Sequence, residues 1–471
     1  MNLSCESKLR SPLVPSSTIL ILNLVMVYPA SLVYPASLVY PASLVYPASL
    51  RLLNRFAVVL AGLISFSPMA SPALEGGGRS PVEGEPMAQS ILAGQSCGRS
   101  QTEPNFLVMA GGGAPSYNEI ALEKNVLYFQ RTLQAMGIDP AAASIFFANG
   151  NDGEATVRYI NESRQEVFKA PDIPNLLGPS TLGNFQRWMQ EVPQTGENQP
   201  VFFYFTGHGY HNRQNDDNNA MILWGEELFS VQRFAQMLDD LPQETPVVTM
   251  MSQCYSGSFA NFIYEGGDPQ RPVALQTRCG FFATIKTRPS VGCTPEVNEA
   301  DYRDYSSSFF AGLSGRSRTG QPVASADYNQ DGQVSYAEAH AFAKVDGQTT
   351  DLPVSTLEVW LQNQVTRSDR EQLLDQAIAP LLTSARPEQK QVVEAFMAKF
   401  KLNPNLSVNA NLRRLPPHVM DTEVEQAYLT RMVMELVNIS MEQKVRDRGN
   451  AVELEVLDRL VNCESSSWGE S

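Results

Sequence analysis

In the stretch Pro200 to Tyr210, PVFFYFTGHGY, five apolar or aromatic residues lead into His208, held between Gly207 and Gly209. A second apolar run, VVTMM at 247–251, leads into Cys254 and the sequence CYSGSF. A thiol becomes a strong nucleophile as its thiolate, and a neighbouring imidazole can take its proton and later donate one to a leaving amine. Glycine leaves its amide unobstructed, so the N–H groups of Gly209 and of Cys254 itself are candidate oxyanion donors. Together these residues imply amide hydrolysis, with Cys254 as nucleophile and His208 as general base. Singly, the histidine reads as a strand cap and the cysteine as a buried hydrophobe. Their order, each after its own apolar run, is what joins them. A rival pairs His208 with His211 as H-x-x-H and adds Cys254 as a third zinc ligand. That spacing is short for two ligands on one loop, and no CxxC pair accompanies it. Asp216 and Asp217 read as a solvated turn.

A second constellation is DYNQDGQVSYAE, Asp327 to Glu338. Asp327, Asn329 and Asp331 stand at positions 1, 3 and 5 of an EF-hand-type loop, Gly332 at the turn, Gln333 as a backbone carbonyl at 7, Ser335 at 9 and Glu338 as the bidentate ligand at 12. The preceding RSRTGQPVASA carries no helical stripe, so the motif reads as half an EF-hand with calcium as its cofactor. A lone loop of this kind binds calcium weakly, at about 10⁻⁴ to 10⁻³ M. The bland reading is an acidic turn before a helix.

The elements that must position these residues follow from the apolar pattern. Short apolar runs at 106–110, 145–147, 201–205, 247–251 and 281–285 are bounded by Gly, Pro or Asn and lack polar alternation, as strands buried on both faces of a parallel sheet do. Between them lie helical stripes: Leu122, Val126, Phe129 and Leu133, stopped at Gly137, and Phe234, Met237, Leu238 and Leu241. The alternation predicts an α/β fold with a doubly wound, mostly parallel sheet over 105–349, ligands lying outside the carboxyl ends of its strands. Residues 350–463 read as a helical C-terminal region without chemistry of its own.

The first residues differ from the rest. The hexamer VYPASL repeats four times between Val27 and Leu50, with a proline every sixth residue that prevents helix or central strand. Arg51 and Arg55 then precede an apolar run from Phe56 to Phe66, with Ser71 and Ala73 at small-x-small spacing. Residues 1–73 therefore read as a low-complexity repeat and a signal peptide cut near Ala73, too short for a stable membrane span, and 74–104 as a linker. A net charge of −15 excludes nucleic acid as a partner. Export makes the cysteines informative: Cys97, Cys254, Cys279, Cys293 and Cys463 survive cleavage, an odd number. With Cys254 reactive, Cys279 and Cys293 flank a segment that must leave a strand and return near the pocket rim, which predicts a disulfide between them.

An apolar strand ending in FTGHG, followed after one helix by an apolar strand ending in CYSG, resembles the caspase–hemoglobinase clan of cysteine peptidases, which includes caspases, metacaspases and legumains. CGFFATIKTRPSVGCTPE and DYSSSFFAGLSG resemble the legumain-like elements that follow the cysteine. The resemblance covers about 105–345. It implies the fold of that clan, a peptide or protein substrate and the dyad His208–Cys254. In this clan the residue two before the cysteine, often acidic, helps form the specificity pocket; here it is Ser252, which cannot pair with an arginine. The resemblance also implies pocket roles for Asp304, in RDYSSSFF, and for Glu119 at the rim of the first strand. The leading expectation is thus an exported, calcium-stabilised cysteine endopeptidase. A catalytically silent peptide-binding module of the same fold, and a calcium-binding structural or adhesion protein, are the alternatives.

Overall fold

A computed structural model describes residues 103–191 and 199–468, which all lie in one compact unit. The repeat, the signal peptide, Cys97 and nearly all of the linker fall outside the described residues. The chain opens with β1 (Asn105–Gly111), α1 (Ile120–Ala135), β2 (Ser144–Phe147), the ribbon β3 (Val157–Ile160) and β4 (Glu166–Lys169), β5 (Leu176–Gly178) and α2 (Leu182–Glu191). It continues through β6 (Val201–Tyr210), β7 (Ala220–Leu223), β8 (Glu227–Ser230), α3 (Val231–Asp239), β9 (Val247–Met251) and β10 (Arg278–Phe282). Then come α4 (Tyr305–Ser314), α5 (Tyr336–Asp346), β11 (Val354–Ser355), α6 (Thr356–Gln362), α7 (Arg367–Asp375), α8 (Pro387–Phe400), α9 (Glu423–Arg448) and α10 (Ala451–Glu464).

The main path of the sheet runs β11-β10-β9-β6-β1-β2-β5, with every neighbour parallel except β11 against β10. From β1 the chain winds outward to β2 and β5, then returns across β1 to β6, β9 and β10. The reversal lies between β1 and β6, where an open α/β sheet leaves a crevice at its carboxyl edge. The expected mostly parallel α/β sheet with C-terminal helices is what the structure has. The short edge pieces β7, β8 and β11 carry no strong pattern of their own.

The sequence of β6 explains why it sits in the centre. Phe203 and Phe205 face one layer, where Phe203 meets Phe185 of α2 and Phe234 of α3 at 5.8 and 5.2 Å between ring centroids. Phe202 and Tyr204 face the other, against Trp468 at 4.9 Å and Phe310 of α4 at 5.1 Å. Each buried aromatic contributes about 1.5–3 kcal/mol by removal from water, so both faces must be covered. Leu429, Met432 and Leu436 of α9 belong to the same buried cluster as Phe203. The helices beyond residue 350 therefore share the core of the sheet. A disulfide joins Cys279 of β10 to Cys463 of α10.

That bond corrects the expected Cys279–Cys293 pairing. Cys279 lies in β10 with its side chain wholly buried under α10, whereas Cys293 lies on a loop past the strand's carboxyl end and is free. A side chain on a sheet face reaches what covers that face, not the loop at the strand's end.

Candidate active site

β6 runs parallel to β1 and β9 as far as Gly207 and Phe205, then continues as an antiparallel partner of β7, with His208 opposite Ile222. His208 thus lies inside the strand, three residues beyond where the expected strand ended. The bend from one partner to the next brings backbones into contact. A Cβ on Gly207 would stand 2.7 Å from the Gly111 carbonyl oxygen, and one on Gly209 would stand 2.0 Å from that of Cys254. Only glycine fits at either place.

β9 ends at Met251, whose register partner on β6 is Phe205. His208 and Cys254 each follow three residues after that pair, at the carboxyl ends of neighbouring parallel strands, and the Gly209–Cys254 backbone contact joins the two ends. The chain turns sharply after the cysteine: Tyr255 has φ +60, a left-handed conformation uncommon for a residue with a side chain. Such conformations persist where surrounding structure enforces them, commonly at functional sites. Here the Tyr255 N–H donates to the Arg288 carbonyl at 2.9 Å.

His208 is held from the β1 side of the crevice. Its Nε2 lies 2.9 Å from Glu119 Oε2, and its ring meets Tyr117 edge-on at 5.2 Å. Glu119 also accepts from Arg158 Nη2 at 2.7 Å. Burial pushes the Glu119 carboxyl up, but the bonds and charge of His208, with the Arg158 bond, bring it below its ordinary value. Glu119, expected as a pocket residue, therefore stands as the ionised partner of the histidine.

The Cys254 thiol is engaged by Ser290, in the stretch CGFFATIKTRPSVGCTPE that resembles the legumain-like elements, although nothing in the sequence assigned that serine a role of its own. Ser290 N–H donates to Sγ at 3.3 Å, Sγ lies 3.6 Å from the Ser290 carbonyl oxygen, and Ser290 Oγ donates to the Ser252 carbonyl at 3.0 Å. Burial raises the thiol above its ordinary value; the Ser290 hydrogen bonds work against the rise, and the Asp351 carboxylate adds to it. Cys293 is exposed as a residue, but its Sγ points inward and donates to the Gly207 carbonyl at 3.9 Å. The surrounding protein, then the charges of Glu119, Cys254, Asp304 and Asp351, hold its thiol well above its ordinary value.

The other expected pocket residues are committed elsewhere. Ser252 is buried, its Oγ donating to the Phe205 carbonyl at 3.3 Å. Asp304 is the N-cap of α4, with Oδ1 accepting from Ser307 and Oδ2 from Asn125 at 2.8 Å. His211, the second histidine of the zinc alternative, pairs with Asp216 at 2.7 Å and stacks on Tyr255. No sequence signal gave Ser290 or Asp351 a role, since Ser290 reaches the site on the loop after β10 and Asp351 on the segment between α5 and β11.

In the 327–338 loop the acidic side chains bond the loop's own backbone. Asp327 accepts from the Asp331 and Gly332 amides at 3.1 and 3.0 Å, and Asp331 from the Gln333 amide at 2.9 Å. Asn329 Oδ1 accepts from Asp331 N–H at 2.9 Å. Glu338, buried, accepts from the Tyr328 and Asn329 amides through one oxygen and from Ser335 through the other, which makes it the capping box of α5. Gly332 has φ +92, as the sharp turn requires, and no helix directly precedes the loop. Among the described residues no group of three His, Cys, Asp or Glu side chains is gathered to hold a metal ion, and no helix is long and apolar enough to cross a membrane.

No protein-family model matches this chain, and no curated protein matches it.

Proposed function

We propose that the protein is an exported cysteine endopeptidase resembling the caspase–hemoglobinase clan. The observation that carries this reading is the backbone contact of Gly209 on Cys254, which brings together the strand ends that carry His208 and Cys254, with Glu119 bonded to the histidine. His208 takes the Cys254 S–H proton as Sγ attacks the carbonyl carbon of a peptide bond. The developing oxyanion faces the amides of Gly209 and Cys254. The imidazolium, favoured by Glu119, then gives its proton to the leaving amine as the C–N bond breaks, and water, deprotonated by His208, releases the acyl group from sulfur. The Cys279–Cys463 bond supports export, because disulfides persist in oxidising compartments.

Calcium belongs to the same proposal. Asp327, Asn329, Asp331, the Gln333 carbonyl and Glu338 form an oxygen-only donor set of the type a hard cation takes, and the turn at Gly332 has the conformation such a loop needs. Bound calcium would supply structural charge rather than chemistry, and these residues would hold it in the loop that leads into α5.

Engagement of the thiol by Ser290 favours a second reading, a catalytically silent module that binds peptides in the same crevice. Digestion of a peptide library by the wild type beside Cys254→Ala, with a thiol-reactive peptide ketone as label, separates the two. The peptidase reading expects cleavage and labelling in the wild type and neither in the variant. A wild type that binds peptides, cleaves none and resists the label would establish the silent module.

A further inference from the structure

Lys399, Lys401, Arg413 and Arg414 lie within residues 395–420, a stretch without a single Asp or Glu in a chain whose net charge is −15. Elsewhere on the C-terminal helices cations are taken up by neighbours: Lys390 pairs with Glu394, Lys444 with Asp369, and Arg446 with Glu442 and Asp458. Lys401, Arg413 and Arg414 are exposed, and no carboxylate among the described residues lies within 4.0 Å of them. Lys399 rests over the Tyr428 ring at 4.8 Å. Positive charge is therefore concentrated here and left unneutralised.

Three of these cations, Lys399, Lys401 and Arg414, line a groove of about 550 Å³ at the end of α8. Its apolar lining is Phe400, buried, with Leu402, Leu406, Leu415 and Val419, each half-buried. Asn411, 4% exposed, holds the groove in shape: its Oδ1 accepts from the Asn403 N–H at 2.8 Å, and its Nδ2 donates to the Asn403 and Ser407 carbonyls at 2.9 and 3.1 Å. That side chain pins the loop between α8 and the short helix Val408–Leu412. The one acidic side chain in the lining, Glu425, accepts from Thr422 Oγ1 at 3.0 Å. A pre-formed hollow of about 300–1,000 Å³, apolar with a few placed polar groups, is the usual form of a binding site.

Cations around an apolar lining call for a ligand that carries both negative charge and apolar groups. A bilayer surface is a poor match, because interfacial binding inserts protruding apolar side chains. The exposed large hydrophobic residues of the described chain, Phe168, Leu177, Tyr210, Leu228, Leu275 and Val452, all lie outside this groove. A long polyanion would meet the repulsion of the whole acidic chain. A short acidic segment need meet only the groove.

We propose that this groove is a docking site for an acidic peptide segment of a partner protein, whose carboxylates meet Lys399, Lys401 and Arg414 while its apolar side chains lie against Leu402, Leu415 and Val419. Charge complementarity selects such a partner and rejects a basic one. The site belongs to the helical region beyond residue 350 and does not depend on the peptidase reading.

The test uses the full chain carrying Cys254→Ala, so that binding is read whether or not the protein cuts peptides. The probe is a fluorescein-labelled peptide of Glu, Asp and Leu, followed by fluorescence anisotropy beside two controls, one with Lys for every acid and one with Ser for every Leu. The acidic, Leu-containing peptide is expected to bind about 10-fold or more tightly than either control, and to weaken as salt is raised. Arg414→Glu is expected to cost about 10-fold in its affinity, whereas Arg367→Glu, the same charge change on α7, is expected to leave it unmoved. Lys401 has φ +52, which Asn tolerates, so Lys401→Asn removes a second charge and carries the test if Arg414→Glu fails to fold. No binding, equal binding of either control peptide, or equal losses in Arg414→Glu and Arg367→Glu would each overturn the assignment. Sedimentation with phosphatidylglycerol vesicles that depends on Arg414, without peptide binding, would overturn it in favour of a membrane.

Discussion

Glu119 Oε2 and His208 Nε2 are 2.9 Å apart, across the point where the sheet reverses its strand order between β1 and β6. On the proposed peptidase reading, a buried carboxylate there fixes the ring and favours an imidazolium formed during turnover. Glu119→Gln keeps the shape and removes the charge. Turnover is expected to fall by about 10²- to 10⁴-fold, with an unchanged circular dichroism spectrum. Turnover within a few-fold of the wild type would reduce Glu119 to a structural partner of Arg158.

The Cys279–Cys463 bond spans a sequence separation of 184 residues and ties α10 onto β10, the strand next to the β11 edge. Cross-linking so long a loop restricts the unfolded chain, so Cys463→Ser is expected to lose on the order of 2–5 kcal/mol of stability. Denaturant titration of the variant beside the oxidised wild type measures this. Because Cys293 is free, mass mapping of the unreduced protein should find Cys279 joined to Cys463 and Cys293 alkylated. A Cys279–Cys293 peptide would contradict the structure.

Calcium is expected to raise the melting temperature of the wild type at millimolar concentration. Glu338→Gln keeps an oxygen in the capping box of α5 while removing the bidentate carboxylate, and its melting temperature is expected not to respond. Equal shifts in the two proteins would place the calcium effect elsewhere.

Glu464 accepts from Thr356 Oγ1 and the Leu357 amide, each at 2.7 Å, in a site that burial raises to about 7 in spite of those bonds. The folded protein keeps this proton up to about pH 7, whereas the unfolded chain releases it near the ordinary value of 4.5. The folded state binds more protons in that window, so this group lowers stability as pH rises through it. Glu464→Gln is expected to match the wild type near pH 4 and to exceed it at pH 8, by on the order of 3 kcal/mol. Denaturation at both pH values checks the sign; a variant less stable at pH 8 would show that the carboxylate is bound more tightly than the proton.

The sequence by itself determined the order of the central strands' chemistry. Uninterrupted apolar runs such as VFFYF have no polar face, so they can lie only inside a covered sheet, and the glycines around His208 mark where backbones meet. The stripe from Leu122 to Leu133 likewise announced α1, because a helix face repeats every three to four residues. Tertiary structure decided everything that depends on which loop meets which. Glu119 reaches His208 because β1 and β6 are neighbours, though the segments are far apart in sequence. Cys279 finds Cys463 because α10 folds back over β10, and Asp351 comes to Cys254 through the consecutive amides of Ser290 and Val291, on a backbone held by Arg431 of α9. Local pattern reports what a segment must bury; a contact between loops depends on the path of the whole chain, and no spacing between residues encodes it.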